Sequence, residues 1–309
     1  MSSAFHERLK KPILAVMLAL LLTGLQESIS SIRPLHKIGL HLSWSSLDTN
    51  YARWYNLILM ATPKMIGVLG GMGPAATADF YQKIIRATPA KGDQDHLKVL
   101  IFSNPQVPDR TAAIRGEGPD PLPVLVASAE VLIQGGADFI TIPCVTAHQY
   151  FEALQQAISV PILHLIGETV TAAVSEYPAL RRLGLLATTG TLQSRLFEAY
   201  FEPRGFAVLT PDPTIQASTV MEAIYAVKHG EPLERPRRLI REAAEHLRAR
   251  GAEAIIAGCT EVPLILRESD LTVPLIDPTW ILAQAAVRRA LGQDRPAGAA
   301  SQRCYKDRG

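Results

Sequence analysis

Two stretches of this 309-residue chain repeat one another, and the repeat restricts its fold more than any other feature. Residues 136–148 read GADFITIPCVTAH and residues 251–263 read GAEAIIAGCTEVP. Both open with Gly-Ala-acidic, pass through a short apolar run and reach a cysteine eight residues after the glycine. Thr146 then follows Cys144 with one residue between, and Thr260 follows Cys259 directly. The agreement is also long-range: Gly67 precedes Cys144 by 77 residues, and Gly184 precedes Cys259 by 75. Spacing of this kind indicates an internal duplication.

Each half reads as alternating strands and helices. Residues 65–69 (MIGVL) form a continuous apolar run, the pattern of a buried parallel strand. The loop GGMGP and a helix over 75–86 follow, which is how an α/β unit begins. Further strands are expected at 99–102, 139–142, 160–165, 183–187, 207–209, 254–257 and 273–276. Helices are expected at 122–134, from Thr146 onward, and at 166–174, 192–201, 215–228, 232–250 and 278–291. The fold class is therefore α/β: two similar lobes related by a pseudo-twofold axis, each with a mainly parallel sheet, with the site in the cleft between them. The first lobe takes residues 65–165 with 275–291, and the second takes 166–274.

Composition narrows the function. Hydrophobic residues make up 48% and charged residues 19%, as in an ordinary globular protein. Residues 1–64 carry a net charge of +4 and the remainder −2, so the body offers no basic footprint for nucleic acid. The loop at 70–74 is neither a dinucleotide fingerprint nor a phosphate loop, and no nucleotide cofactor is implied. Three cysteines argue against a disulfide framework, and Cys304 sits in a polar tail without a pattern around it. Neither Cys144 nor Cys259 has metal-ligand spacing, and His148 alone is no ligand set.

The first 64 residues are set apart from the fold. Arg8, Lys10 and Lys11 precede an apolar run at 12–25, which resembles a signal peptide or anchor. As a helix that run reaches about 21 Å, short of the ~30 Å hydrocarbon core. Met65 opens directly into a strand, as a start codon would, so an over-extended reading frame or a removed leader competes with a real signal. The location read from this is cytoplasmic, with export or membrane anchoring through residues 1–30 as the alternative. Residues 292–309 read as a disordered tail.

Both repeated cysteines end strands and precede expected helices, whose N-terminal dipoles favour a thiolate. A free cysteine is more commonly a small buried hydrophobe. Two of them facing each other suit one reaction in particular. Interconverting mirror-image amino acids takes the Cα proton from one face and returns it on the other, with a thiolate as base and a thiol as acid. Helix N-termini and the hydroxyls of Thr146, Thr189 and Thr260 are candidates to hold the substrate's carboxylate.

The motifs GGMGPAAT (70–77), NPQVPDR (104–110), GEGPDPLP (116–123), PCVTAH (143–148), LATTGT (186–191) and GCTEVPLIL (258–266) resemble the cofactor-independent aspartate/glutamate racemases. The resemblance runs from Met65 to about Leu291. It implies catalysis by Cys144 and Cys259 without pyridoxal phosphate or metal, and an amino acid as the small-molecule partner. It also implies that Arg110 and Lys228 grip a side-chain carboxylate, which favours aspartate over glutamate. Glu261 is similar to the aspartate branch, since cell-wall glutamate racemases typically carry histidine there. A homodimer is the default assembly for such enzymes.

Val145 departs from the family's usual PCNTAH, where an asparagine amide helps bind the α-carboxylate or ammonium group. Valine offers only its backbone N–H, a loss of ~1.5–3 kcal/mol or about ten- to a hundredfold in binding. Two other functions compete: a maleate isomerase or arylmalonate-type decarboxylase on the same fold, and an exported small-molecule binding protein.

Overall fold

The computed structural model describes residues 63–293. The expected extension and tail lie outside these residues, apart from 63–64 and 292–293. Two four-stranded sheets, parallel throughout, make up the fold. The first holds β1 (Ile66–Gly70), β2 (Val99–Ser103), β3 (Phe139–Thr141) and β4 (Ile162–Leu163), in the order β2-β1-β3-β4. The second holds β5 (Arg182–Leu186), β6 (Ala207–Leu209), β7 (Ala254–Ala257) and β8 (Leu275–Ile276), in the order β6-β5-β7-β8. The two orders match term by term, as a duplicated unit requires.

The repeated Gly-Ala-acidic opening has a physical cause in both halves. Gly136 and Gly251 stand at φ 91° and 94°, a left-handed conformation that suits glycine and ends the helix before each central strand. The acidic residue then braces the neighbouring strand. Asp138 Oδ2 accepts from the Met65 backbone N–H at 2.6 Å, and Glu253 Oε2 accepts from those of Arg181 and Arg182 at 2.6 and 2.9 Å. One turn chemistry thus sets the start of both sheets.

Apart from the single turn Pro213–Ile215, the α-helices among the described residues are α1 (Pro74–Ala87), α2 (Arg110–Ile114), α3 (Leu122–Gln134), α4 (Phe151–Ala157), α5 (Leu165–Glu176), α6 (Thr189–Gln193), α7 (Leu196–Phe201), α8 (Met221–Lys228), α9 (Glu234–Ala249), α10 (Val262–Ile265) and α11 (Pro278–Ala290). After the last strand of each sheet the chain crosses over. Helix α5 follows β4 and packs on α7, and α11 follows β8 and packs on α1 and α5. Leu275 and Ile276 pair with β7 and so sit in the second sheet, although the expected first lobe included residues from 275 onward.

Helix α3 lies where the sequence placed it. The helix expected over 192–201 is broken, because Arg195 adopts φ 51° between α6 and α7. The helix expected from Thr146 begins as a 3-10 turn, Thr146–Tyr150, before α4. Among the described residues no helix is long and apolar enough to cross a membrane. The apolar run at 12–25 lies outside them.

Candidate active site

Cys144 and Cys259 line one cavity of about 390 Å³, counted out to its mouth. Each follows an inner strand of its own sheet, β3 or β7, and each is 5% exposed. The first half adds Met72, Asp109, Arg110, Thr111, Val145 and Thr146 to the wall, and the second adds Thr188, Met221, Ile224, Tyr225, Lys228, Thr260 and Glu261. Of the residues singled out in the sequence, Arg110, Cys144, Val145, Thr146, Lys228, Cys259, Thr260 and Glu261 therefore meet in one place. Thr189 is absent from that wall. Its hydroxyl accepts from the Gln216 side-chain amide at 3.3 Å, and Thr188, one residue earlier, faces the cavity instead.

The two cysteines have different neighbours. Cys259 Sγ donates to Glu261 Oε2 at 2.9 Å, and Thr260 Oγ1 lies 3.2 Å from the same oxygen. Burial, and next to it the negative charge of Glu261, push the Cys259 thiol well above the ordinary cysteine range. Cys259 is thus held protonated, contrary to the expectation that a helix dipole would favour its thiolate. The helix that follows, α10, is only four residues long. Cys144 is followed by a 3-10 turn rather than a full α-helix.

On the Cys144 side three hydroxyls form a triangle. Thr146 lies 3.0 Å from Thr188 and 2.9 Å from Thr191, which are 3.0 Å from each other. Thr146 opens its 3-10 turn, as the sequence suggests, and its hydroxyl also bonds across to the second half. Thr188 does cap α6, accepting from the Thr191 backbone N–H at 3.2 Å.

Two cations reach the site. Arg110, the first residue of α2, is 8% exposed and donates from Nη1 to the carbonyls of Val107 and Pro108 at 3.1 and 3.0 Å. Its Nε is buried and has no hydrogen-bond partner. Asp109 caps the same helix through the Ala112 N–H. Lys228, at the end of α8, lies 3.8 Å from Glu261 Oε1. Burial presses the Lys228 ammonium toward neutrality, but Glu261, then Cys259 and Cys144, outweigh it, and its pKa stands above the ordinary lysine value.

Sequence reasoning found Lys228 but missed the stripe that it completes on α8. Met221, Ile224, Tyr225 and Lys228 follow i, i+3, i+4, i+7 and all face the cavity. The spacing was visible in the sequence, but such a stripe ordinarily marks a core face. Val145 lines the cavity and also packs into the hydrophobic cluster that draws residues from both sheets. Among the described residues no group of three or more His, Cys, Asp or Glu side chains could hold a metal ion.

Residues 69–286 match the family described as Asp/Glu/hydantoin racemase. The chain belongs to that racemase family. It is 32% identical over 229 residues to the broad specificity amino-acid racemase RacX of Bacillus subtilis, covering 72% of this chain and 96% of the relative. Among solved structures it is similar to the Picrophilus torridus aspartate racemase, with 29% identity and a TM-score of 0.65 over 74% of this chain and 94% of that one. A putative Asp/Glu racemase from Yersinia pestis aligns with 28% identity and a TM-score of 0.61, over 74% and 99%. Likeness to the Francisella tularensis glutamate racemase, at 19% identity and a TM-score of 0.54 over 73% of this chain and 79% of that one, reflects the fold.

Proposed function

We propose that this racemase-family enzyme is an isomerase that inverts the Cα of a free amino acid, with Cys144 and Cys259 as its two acid/base groups and no cofactor. The reading is carried by one observation: equivalent cysteines of two duplicated sheets line a single cavity. The thiolate of one cysteine takes the Cα proton and leaves a carbanion delocalised into the α-carboxylate. The thiol of the other delivers its proton to the opposite face, giving the mirror-image product. The bond from Cys259 to Glu261 supports Cys259 as the acid of the resting site, which assigns the starting base to Cys144. The free edge of Arg110 and the hydroxyls near the cysteines are suited to the carboxylate, where charge develops.

Aspartate, then glutamate, is the substrate that Arg110 and Lys228 favour. A second reading of the substrate has its own support. The charged residues of the wall balance, Asp109 and Glu261 against Arg110 and Lys228, and Met72, Val145, Met221, Ile224 and Tyr225 give it an apolar flank. An amino acid with an uncharged side chain fits that balance, and the RacX relative is named for broad specificity.

Purified protein incubated in deuterated water with L-aspartate, L-glutamate, L-methionine and L-leucine decides between them. Racemisation with deuterium at Cα is expected, and both Cys144→Ser and Cys259→Ser should lose it. If no amino acid in a full panel exchanges or loses optical rotation, the racemase reading is wrong.

A further inference from the structure

His148 lies outside the cavity wall, yet both of its ring nitrogens are committed. Nδ1 lies 3.0 Å from the carbonyl oxygen of Cys144, and Nε2 lies 3.1 Å from the backbone nitrogen of Leu165. A backbone N–H only donates, so Nε2 is the lone-pair nitrogen. Nδ1 then carries the hydrogen and donates it to the Cys144 carbonyl. The residue is 2% exposed, stacked on Phe151 and edge-on to His164.

The two partners belong to different parts of the machine. One is the peptide of an acid/base cysteine. The other, Leu165, is the first residue of α5, the crossover helix that leaves the first sheet and packs on α7 beside the second. The repeat does not preserve this tie. Four residues after Cys259 stands Pro263, which has no polar side chain, and Cys259 is held by Glu261 instead.

We propose that His148 is a positioning residue: a neutral imidazole of fixed tautomer that sets the aim of the Cys144 thiol and couples it to the crossover between the lobes. The proposal rests on the reading of Cys144 as an acid/base group. With its carbonyl held by an N–H the Cys144 peptide plane is fixed, and the sulfur keeps its distance from Cα. When the hold is lost the peptide rotates, and a displacement near 1 Å costs about a hundredfold in rate. Because the second hydrogen bond ends on α5, any change in the angle between the lobes reaches this peptide directly.

The test compares His148→Phe, which keeps the ring, with His148→Gln, which keeps a donor and an acceptor. In the phenylalanine variant kcat is expected to fall ~10–100-fold with KM little changed, and glutamine should recover part of the loss. Iodoacetamide labelling, followed peptide by peptide, should change at Cys144 and stay constant at Cys259 in the same molecules. A phenylalanine variant with unchanged kcat and unchanged Cys144 labelling overturns the proposal, and so does an equal change at both cysteines. If neither variant folds, ¹⁵N NMR of the unaltered protein decides. It should show His148 as the neutral Nδ1–H tautomer from pH 8 to pH 5, whereas an Nε2–H tautomer or titration near pH 6.5 overturns it. Labelling and NMR do not require turnover, so their outcome stands apart from that of the racemase assay.

Discussion

A methyl group on Gly190 would stand 2.8 Å from Thr111 Oγ1 and 2.9 Å from the Thr111 Cα. Gly190 belongs to α6, beside the second sheet, and Thr111 to α2, in the half that carries the first. The glycine is needed here for close approach, which lets the two halves meet at the rim of the cavity. Gly190→Ala should therefore wedge them apart. Overpacking of this kind costs about 1–3 kcal/mol, and kcat/KM should fall because Thr111 lines the site. Urea denaturation and steady-state racemisation measure the two effects. An alanine variant with native stability and rate would mean that the contact relaxes freely.

Glu261 gives a second prediction, at the sulfur it touches. Burial and the Glu261 carboxylate together raise the Cys259 thiol, while Lys228 pulls the other way. In Glu261→Gln the burial remains, but the adjacent negative charge is gone and the Lys228 charge is no longer offset by a carboxylate. Labelling of Cys259 should begin at a lower pH than in the unaltered protein, with Cys144 as the internal control. Labelling that moves to higher pH, or does not move, contradicts the electrostatic account.

Much of the fold was legible because buried parallel strands announce themselves. Residues 66–70 and 254–257 are short runs of apolar residues and glycine, and 139–141 departs from that pattern only at Thr141. The repeated cysteines were legible for the same reason, since the duplication fixes them at strand ends. What the sequence hides is long-range. Nothing near Thr146 says that its hydroxyl meets Thr188 and Thr191, more than 40 positions away. Sequence points to Thr189 and not to Thr188 because a TTGT loop does not reveal which threonine faces the cavity and which meets Gln216. Residue type showed Glu261 to be acidic, but only the fold shows that it bonds to Cys259 and lies against Lys228.

Two histidines near the lobe crossover predict acid sensitivity. Burial, followed by the charge of His164, lowers His148 to about 3, and burial lowers His164 to about 4. Both are neutral in the folded protein at pH 6.5, where the unfolded chain begins to take up protons on them. Stability is therefore retained above about pH 6.5 and lost as pH falls toward 4 and then 3, at up to about 1.4 kcal/mol per pH unit for the buried His148 and less for His164, which water partly screens. His164 Nδ1 also caps α5 by accepting from the Gly167 N–H at 3.1 Å. Asparagine can make the same cap without titrating. His164→Asn should flatten the fall in the urea midpoint between pH 6.5 and pH 4, and an unchanged slope would rule His164 out as a source of the acid loss.

The last prediction concerns how the chain returns to its first half. Lys83 on α1 is 7% exposed, and its Nζ lies 2.7 Å from Asp79, 2.7 Å from Asp277 and 2.6 Å from Thr279 Oγ1. Asp277 in turn caps α11 by accepting from the backbone N–H groups of Thr279 and Trp280. Burial alone would drive Lys83 toward neutrality, but Asp277 and then Asp79 reverse this and hold it charged. One ammonium thus joins α1 to the start of the helix that comes back from the second sheet. Lys83→Met should destabilise the protein by about 3 kcal/mol, near the lower end for a broken buried pair, because both aspartates keep some access to water. Since the cluster is buried, high salt should recover little of the loss. In a double-mutant cycle, Asp277→Asn in the Lys83→Met background should cost less than it does alone. Strict additivity would show that Lys83 and Asp277 stabilise α11 independently.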